Sequence, residues 1–404
     1  MDAAAPRNRK IYLDNQATTP CDPRVVAAML PWFSDQYGNP HSAEHAMGRE
    51  AEAAVEDARQ AVAALVGAEA REIVFTSGAT EANNLAIKGA ARFAAAHDNP
   101  RRRIITTATE HKCVLESVAD LAAEGFEPVV LPVGPDGRLD PETLQGAVDD
   151  STLLVSVMTV NNEIGVIQPI DELALIARRA GALFHTDAAQ AAGKFMLDVN
   201  KRGIDLMSVS AHKMYGPKGV GALYVRRRPR ARISPLFSGG GQERGLRSGT
   251  LPAPLLVGFG EAARLAGLEM EEDEARLVGL RDRLLGELRR RIPGLALNGN
   301  AFFRLPGNLN LQFPGVTAQA LMAEIPDLCV STGSACSSAE IEPSHVLKAL
   351  GLSDAAAGST LRLGLGRFTS RADIDFAAAA LADAWASLSR SNLSGSSLSR
   401  SSLS

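Results

Sequence analysis

Leu206-Met207-Ser208-Val209-Ser210-Ala211-His212-Lys213-Met214-Tyr215-Gly216-Pro217-Lys218-Gly219 passes from an apolar run, through a histidine and a lysine, into a Gly/Pro turn that cannot continue regular structure. A lysine so placed has its amine fixed at a strand end, where it can act as a Schiff-base nucleophile. An isolated lysine is more often a solvated loop residue. Upstream, Phe184-His185-Thr186-Asp187-Ala188-Ala189-Gln190 changes that balance. An apolar run that ends in Asp and continues into small residues and Gln suits a carboxylate at a strand's carboxyl end, facing a heterocyclic nitrogen. Lys213 together with Asp187 is the arrangement that pyridoxal phosphate requires.

Outward from these segments the chain alternates strand and helix. Apolar runs at 104–107, 128–131, 153–157, 183–184 and 206–209 are apolar throughout, which predicts a mainly parallel sheet covered on both faces, an α/β fold. Ligands then lie beyond the carboxyl ends of the strands. Thr109-Glu110-His111-Lys112 and Asn161-Asn162-Glu163-Ile164-Gly165 fall at such ends, on the edge that also carries Asp187 and Lys213. His111 by itself reads as a helix-start histidine; at this edge it becomes a candidate to stack on a cofactor ring and move protons. Asn162 offers an amide to a carboxylate or phenolic oxygen, or is a turn residue. Ile73-Val74-Phe75-Thr76 predicts a strand that turns at Ser77-Gly78-Ala79-Thr80-Glu81-Ala82-Asn83-Asn84 into a helix. Its N–H groups make either a seat for a phosphate or an ordinary capped start.

The 404 residues, 46% of them hydrophobic, are enough to bury a large core and build two domains. A long helical pattern over 254–292 links them. The expected division is a large domain over 22–265, a smaller α+β domain from 1–21 and 266–386, and a tail over 387–404. A formal net charge of −4 carries no bulk polyanion-binding character. Cys21, Cys113, Cys329 and Cys336 lie far apart with no C-x-x-C spacing, which favours a reducing compartment. Neither a secretory signal nor a stretch of about 18 apolar residues is present, so a soluble intracellular protein is expected. Tyr224-Val225-Arg226-Arg227-Arg228-Pro229-Arg230-Ala231-Arg232 is a basic run, more often solvated than a partner's contact, and poor evidence for nucleic acid without interleaved aromatics. The glycine-rich segment 238–250 reads as a flexible loop and lacks the G-K-[ST] of a P-loop.

In the second domain Asn308-Leu309-Asn310-Leu311-Gln312-Phe313 alternates as a strand does, a helix is expected over 318–323, and Leu328-Cys329-Val330 is a short apolar run. Cys329, among apolar neighbours, reads as buried and inert. Cys336 follows in Ser331-Thr332-Gly333-Ser334-Ala335-Cys336-Ser337-Ser338, where nothing is large enough to bury it; it is either an incidental surface cysteine or a nucleophile on a loop that swings. Arg362, between Leu361 and Leu363, is either a clamp for a carboxylate or half of a structural ion pair. Leu388, Leu393, Leu398 and Leu403 recur every five residues, which fits neither helix nor strand, and the serine-rich tail is expected to be disordered.

Taken in order, Tyr12-Leu13-Asp14-Asn15-Gln16-Ala17-Thr18-Thr19-Pro20, Thr76-Ser77-Gly78-Ala79-Thr80-Glu81, Thr109-Glu110-His111-Lys112, Val160-Asn161-Asn162-Glu163-Ile164-Gly165, His212-Lys213-Met214-Tyr215-Gly216-Pro217-Lys218-Gly219 and Gly333-Ser334-Ala335-Cys336-Ser337-Ser338 are highly specific. Over residues 11–386 the chain resembles the cysteine desulfurases of iron–sulfur cluster assembly, the housekeeping group with a long cysteine loop, and among them the mitochondrial and related bacterial members. The resemblance implies the aspartate-aminotransferase-like fold (fold type I) of pyridoxal phosphate enzymes and a homodimer. Lys213 would hold the cofactor covalently, Asp187 would pair with its ring nitrogen, Gln190 with its phenolic oxygen, and His111 would stack on the ring. Ala79, Thr80, Ser210 and His212 would hold the phosphate, with Thr250 reaching in from the other subunit; Asn162 and Arg362 would hold the substrate carboxylate.

The reaction so implied turns L-cysteine into L-alanine and leaves a persulfide on Cys336. The sulfur then passes to an iron–sulfur scaffold protein, with Cys336 as a transient cluster ligand and no resident metal. Arg227, Arg230 and Arg232 would form a docking patch for frataxin, and a eukaryotic member would also need accessory subunits. The compartment would be the mitochondrial matrix, or the cytoplasm of a bacterium. The Ser/Leu tail departs from relatives whose tails help contact the scaffold. An aminotransferase or selenocysteine lyase on the same fold would survive Cys336→Ser with full alanine production. A catalytically silent relative would have lost Lys213 or Asp187, and both are present.

Overall fold

The computed structural model describes residues 10–333 and 343–400. In chain order its strands are β1 (Ile11–Tyr12), β2 (Ile73–Thr76), β3 (Arg103–Thr107), β4 (Glu127–Leu131), β5 (Thr152–Ser156), β6 (Leu183–Asp187), β7 (Leu206–Ser210), β8 (Gly221–Val225), β9 (Ala296–Leu297), β10 (Asn308–Gln312), β11 (Leu328–Cys329) and β12 (Thr360–Gly364). The chain forms two compact units, one of Thr18–Asn161 with Val166–Glu271, the other of Met1–Ala17, Asn162–Gly165 and Glu272–Ser404. The expected boundaries at 22 and 265 move to 18 and 271, and the short segment Asn162–Gly165 groups with the smaller unit. In sequence, the second boundary lies within the helix Ala253–Arg291.

The larger unit holds a seven-stranded sheet in the order β2-β8-β7-β6-β5-β3-β4. β7, β6, β5, β3 and β4 run parallel, and β8 lies antiparallel to both β7 and β2. β2, β5, β7 and β8 are buried along their whole length, as strands covered on two faces must be. One core layer places Val74, Ile104, Leu154, Leu206 and Leu223 of five strands against Leu85, Ala86 and Ala90 of the helix Ala79–Ala96.

The smaller unit has a three-stranded antiparallel sheet, β12-β10-β9, and a parallel pair, β1-β11. Leu309, Leu311, Leu361 and Leu363 of that sheet pack with Leu284, Leu288, Ile374 and Leu381 from the helices Ala253–Arg291 and Arg371–Arg400.

That last helix corrects the reading of the tail. Helix continues through 387–400, where disorder was expected, and 401–404 lie outside the described residues. The indole of Trp385 donates to the Pro314 carbonyl at 2.9 Å and Leu388 packs on the core. A helix already nucleated and anchored extends at little cost into a segment free of proline, whatever the period of its leucines.

Candidate active site

Four segments converge at the carboxyl ends of the parallel strands in the larger unit. Asp187 is the last residue of β6, and Ser210 the last of the adjacent β7. A single 3₁₀ turn, Ala211–Lys213, follows β7 directly, so Lys213 stands three residues beyond the strand and is half-buried. The turn closes through the Met214 and Gly216 N–H groups, which both donate to the Ala211 carbonyl. Tyr215 then takes φ = +67°, and its N–H donates to Thr19 Oγ1 at 2.9 Å. Thr19 in turn donates its N–H and hydroxyl to the His212 carbonyl, at 3.0 and 2.9 Å. The Thr18-Thr19 segment thus staples the lysine turn from a site nearly 200 residues away. His212 Nδ1 lies 3.0 Å from Thr18 Oγ1. Burial, with the nearby Lys213 and Lys218 charges, pushes His212 down to about 4, so its ring is neutral at physiological pH.

Asp187 is buried and held by neutral donors: the Ala189 N–H to Oδ1 at 2.9 Å and the Asn83 amide to Oδ2 at 2.6 Å. Glu110, wholly buried near it, accepts from Thr107 Oγ1 at 2.8 Å and Met158 N–H at 2.9 Å. Burial first, and the Asp187 charge after it, push Glu110 up to about 8; it stays protonated at neutral pH and leaves the negative charge to Asp187. Gln190 is buried just past the strand. His185, in the middle of β6, bridges Ser156 Oγ at 2.8 Å and Ser208 Oγ at 3.1 Å. Burial holds it near 3, so it is a neutral structural histidine.

The helix Ala79–Ala96 starts at Gly78, which has φ = +152° and provides no side-chain cap. A Cβ on Gly221 at the start of β8 would lie 2.7 Å from the Gly78 Cα, so glycines are needed where this loop crosses the sheet edge. The first N–H groups of the helix, at Ala79 and Thr80, therefore have no cap of the usual kind. Ser210 Oγ is buried and without a hydrogen-bond partner. An uncapped helix start and an orphaned buried hydroxyl suit a phosphate, and a buried carboxylate held by neutral donors suits a protonated ring nitrogen. The residues present fit pyridoxal phosphate.

His111 is indeed a helix-start residue: its Nδ1 caps Lys112–Asp120 by accepting the Cys113 N–H at 3.2 Å. Its Nδ1 also lies 3.0 Å from Cys113 Sγ, which meets Asn83, itself a donor to Asp187. Thr250 is exposed, in the glycine-rich loop before the helix Ala253–Arg291. That loop was expected to be flexible but is tethered twice. Glu243, buried, accepts both ends of the Arg59 guanidinium at 2.7 Å, and Arg247 Nε donates to Glu81 at 2.9 Å.

In the smaller unit Arg362 lies on β12, 1% exposed. Its Nη2 pairs with Asp14 Oδ1 at 2.7 Å and its Nη1 donates to the Asn162 carbonyl at 2.9 Å, while Nε has no partner. Both readings of Arg362 thus have support, a structural ion pair and an available N–H. Asn162 meets Arg362 through its backbone carbonyl. Cys336 lies outside the described residues. Asn83 and Thr18 were not singled out from sequence; a pair of asparagines in an alanine-rich helix start was the available signal. Among the described residues no group of three or more His, Cys, Asp or Glu could hold a metal ion, and no helix is long and apolar enough to cross a membrane.

Residues 11–376 match the family model for class-V aminotransferases. The chain is 54% identical to the cysteine desulfurase IscS of Rickettsia rickettsii (strain Iowa), over 91% of this chain and 89% of the relative.

The chain belongs to the class-V aminotransferases, among the cysteine desulfurases.

Its fold matches a solved NifS-like protein with a TM-score of 0.85 and 36% identity, covering 93% of this chain and 98% of the other. It also matches SspA, solved in complex with cysteine, with a TM-score of 0.78 and 36% identity over 90% of this chain and 100% of the other. The family is dependent on pyridoxal phosphate. The Rickettsia relatives are bacterial, and give the mitochondrial expectation no support.

Proposed function

We propose that this chain removes sulfur from L-cysteine, releases L-alanine and carries the sulfur as a persulfide on Cys336 for iron–sulfur cluster assembly. The observation that carries this reading is the placement of Asp187 and the Lys213 turn at the carboxyl ends of adjacent parallel strands, in a chain 54% identical to named cysteine desulfurases. When bound, pyridoxal phosphate supplies an electron sink for breaking the Cα–H bond of the substrate. Lys213 would hold the cofactor, and its freed amine would take the Cα proton of the substrate and return it. Asp187 would pair with its ring nitrogen and Gln190 with its phenolic oxygen. His111 would pack on the ring and pass protons; Ala79, Thr80, Ser210 and His212 would hold the phosphate, with Thr250 of a second copy of the chain.

Arg362 and Asn162 orient the substrate carboxylate. The Cys336 thiolate attacks the substrate sulfur: an S–S bond forms, the C–S bond breaks, and its electron pair leaves with the carbon, which is protonated to give alanine. One sulfur is transferred and no external oxidant is needed. A cavity of about 270 Å³, whose lining combines six arginines, among them Arg227, Arg230 and Arg232, with apolar side chains such as Phe93 and Ile233, supports docking of an acidic partner such as frataxin or a scaffold protein. Bacterial relatives favour a bacterial cytoplasm.

Mass spectrometry after incubation with L-cysteine tests the reading: one added sulfur on the Cys336 peptide, with equimolar alanine, is expected. Alanine formed at full rate by Cys336→Ser would overturn it.

A further inference from the structure

No step above uses the thiol of Cys113, yet it touches three residues of the cofactor seat. Its Sγ lies 3.0 Å from His111 Nδ1 and 3.3 Å from Asn83 Nδ2, and the Thr80 side chain also hydrogen-bonds to it. Asn83 in turn meets Asp187 Oδ2 at 2.6 Å. Chemistry fixes the direction of each bond. The Asp187 carboxylate only accepts, so the Asn83 amide must present nitrogen to it, and the second N–H of that same nitrogen falls on the Cys113 sulfur. With Asn83 and Thr80 donating to the sulfur, its own S–H is directed elsewhere. His111 Nδ1 already accepts the Cys113 backbone N–H at 3.2 Å, so this nitrogen carries a lone pair and no proton. The S–H donates to that same nitrogen, and the imidazole is neutral with its proton on Nε2. Burial first, then the Asp187 charge, push the thiol up to about 12, so the sulfur keeps the proton this chain of bonds needs.

We propose that Cys113 is a positioning residue: through Asn83 and Cys113 the acceptor character of Asp187 is passed to His111, locking its ring in the Nε2–H tautomer and so choosing the nitrogen that exchanges a proton at the cofactor face. This deepens the desulfurase reading, because it takes His111 as the group that works at that face. The same bonds hold the amide of Asn83 against flipping, which orients Asp187.

Two-bond 1H–15N spectra of the full chain labelled with 15N-histidine, with and without pyridoxal phosphate, test the proposal near neutral pH, His111 being assigned from a His111→Gln variant. Wild type is expected to show a pyridine-type Nδ1 and a pyrrole-type Nε2 for His111 in both states. Cys113→Ser, which can donate and accept in the same way, keeps that pattern. Cys113→Ala moves both nitrogens toward the averaged positions of exchanging tautomers, and Asn83→Ala does the same by breaking the chain one step earlier. A Cys113→Ala or Asn83→Ala spectrum superimposable on wild type overturns the proposal, since the backbone N–H alone would then suffice. On the loaded enzyme, Cys113→Ala should lower kcat about 10-fold with KM for L-cysteine changed less than about 2-fold, and Cys113→Ser should restore kcat to within about 3-fold. Equal losses in the two variants would overturn it too. The spectra are read without substrate, so a protein inactive on L-cysteine would sink the desulfurase reading and leave the tautomer result standing.

Discussion

Asp187 and Arg362 are both buried charges on sheets, and the two are satisfied in opposite ways. Asp187 is held by an amide and a backbone N–H, neutral donors that orient the carboxylate and leave its charge uncompensated by them. Ser210 Oγ, two strand positions past the register partner of Asp187, is buried without a partner. Arg362 has an ion pair to Asp14 and a carbonyl on its other nitrogen, with Nε alone unpartnered. The first region has a carboxylate with neutral donors and a buried hydroxyl without a partner, which suits a cationic ring and an anion. The second has its charge paired within the protein and could take a carboxylate through Nε or by exchanging the Asp14 bond. On the proposed function, a cofactor would find its donors already in place at the sheet edge, while a substrate carboxylate would compete with Asp14 and the Asn162 carbonyl for Arg362.

Lys213→Ala attacks the first region most directly: activity with L-cysteine should fall more than about 10³-fold and the visible absorbance of the bound cofactor should vanish. Retained colour would mean that another amine holds it. Arg362→Lys keeps the charge but loses the planar fork, and kcat/KM should fall about 10²-fold, mostly through KM, in steady-state assays. Asp14→Asn sharpens the contrast. If Asp14 only orients the guanidinium, KM should rise roughly 3- to 10-fold with kcat nearly unchanged; an unchanged KM would assign Asp14 to stability alone, read in urea unfolding.

Glu110→Gln should have the smallest effect, within about 2-fold on activity at neutral pH. Its signature is in stability. Burial raises Glu110 from 4.5 to about 8, so the folded chain keeps a proton that the unfolded chain releases. That contribution is full below about 4.5 and is lost as pH rises through 8. The Gln variant lacks this loss. Its stability relative to wild type, followed by urea unfolding, should rise by roughly 3–5 kcal/mol from acid to alkaline pH. A flat difference would show that Glu110 is ionised in the fold.

Legibility in the sequence tracked how local the determinant is. β2 was readable to the residue, and β3 to β7 within a residue or so except for the length of β6, because each buried strand is a contiguous apolar run. β8 escaped notice, since Gly221-Ala222-Leu223-Tyr224-Val225 follows a Gly/Pro turn and only its pairing with β2 and β7 makes it the antiparallel bridge. Lys213, Asp187 and the helix start at Ala79 stood out as chemistry-bearing residues at predicted strand ends. Asn83, Thr18 and Cys113 did not, because their meaning lies in partners about 30 to 200 residues away. The tail misled for a similar reason: its helix rests on Trp385 and Leu388 meeting the core, which no spacing of leucines reports.

By itself the sequence determined the α/β class, the strand-end positions of the lysine and the aspartate, and the family, since these follow from short-range pattern and residue type. The tertiary structure alone decided that Glu110 is protonated, that His185 and His212 are neutral, that Arg362 is already paired, and which way hydrogen bonds run from Asp187 to His111. Protonation and bond direction are set by burial and by neighbours brought together from distant parts of the chain, and neither exists until the chain has folded.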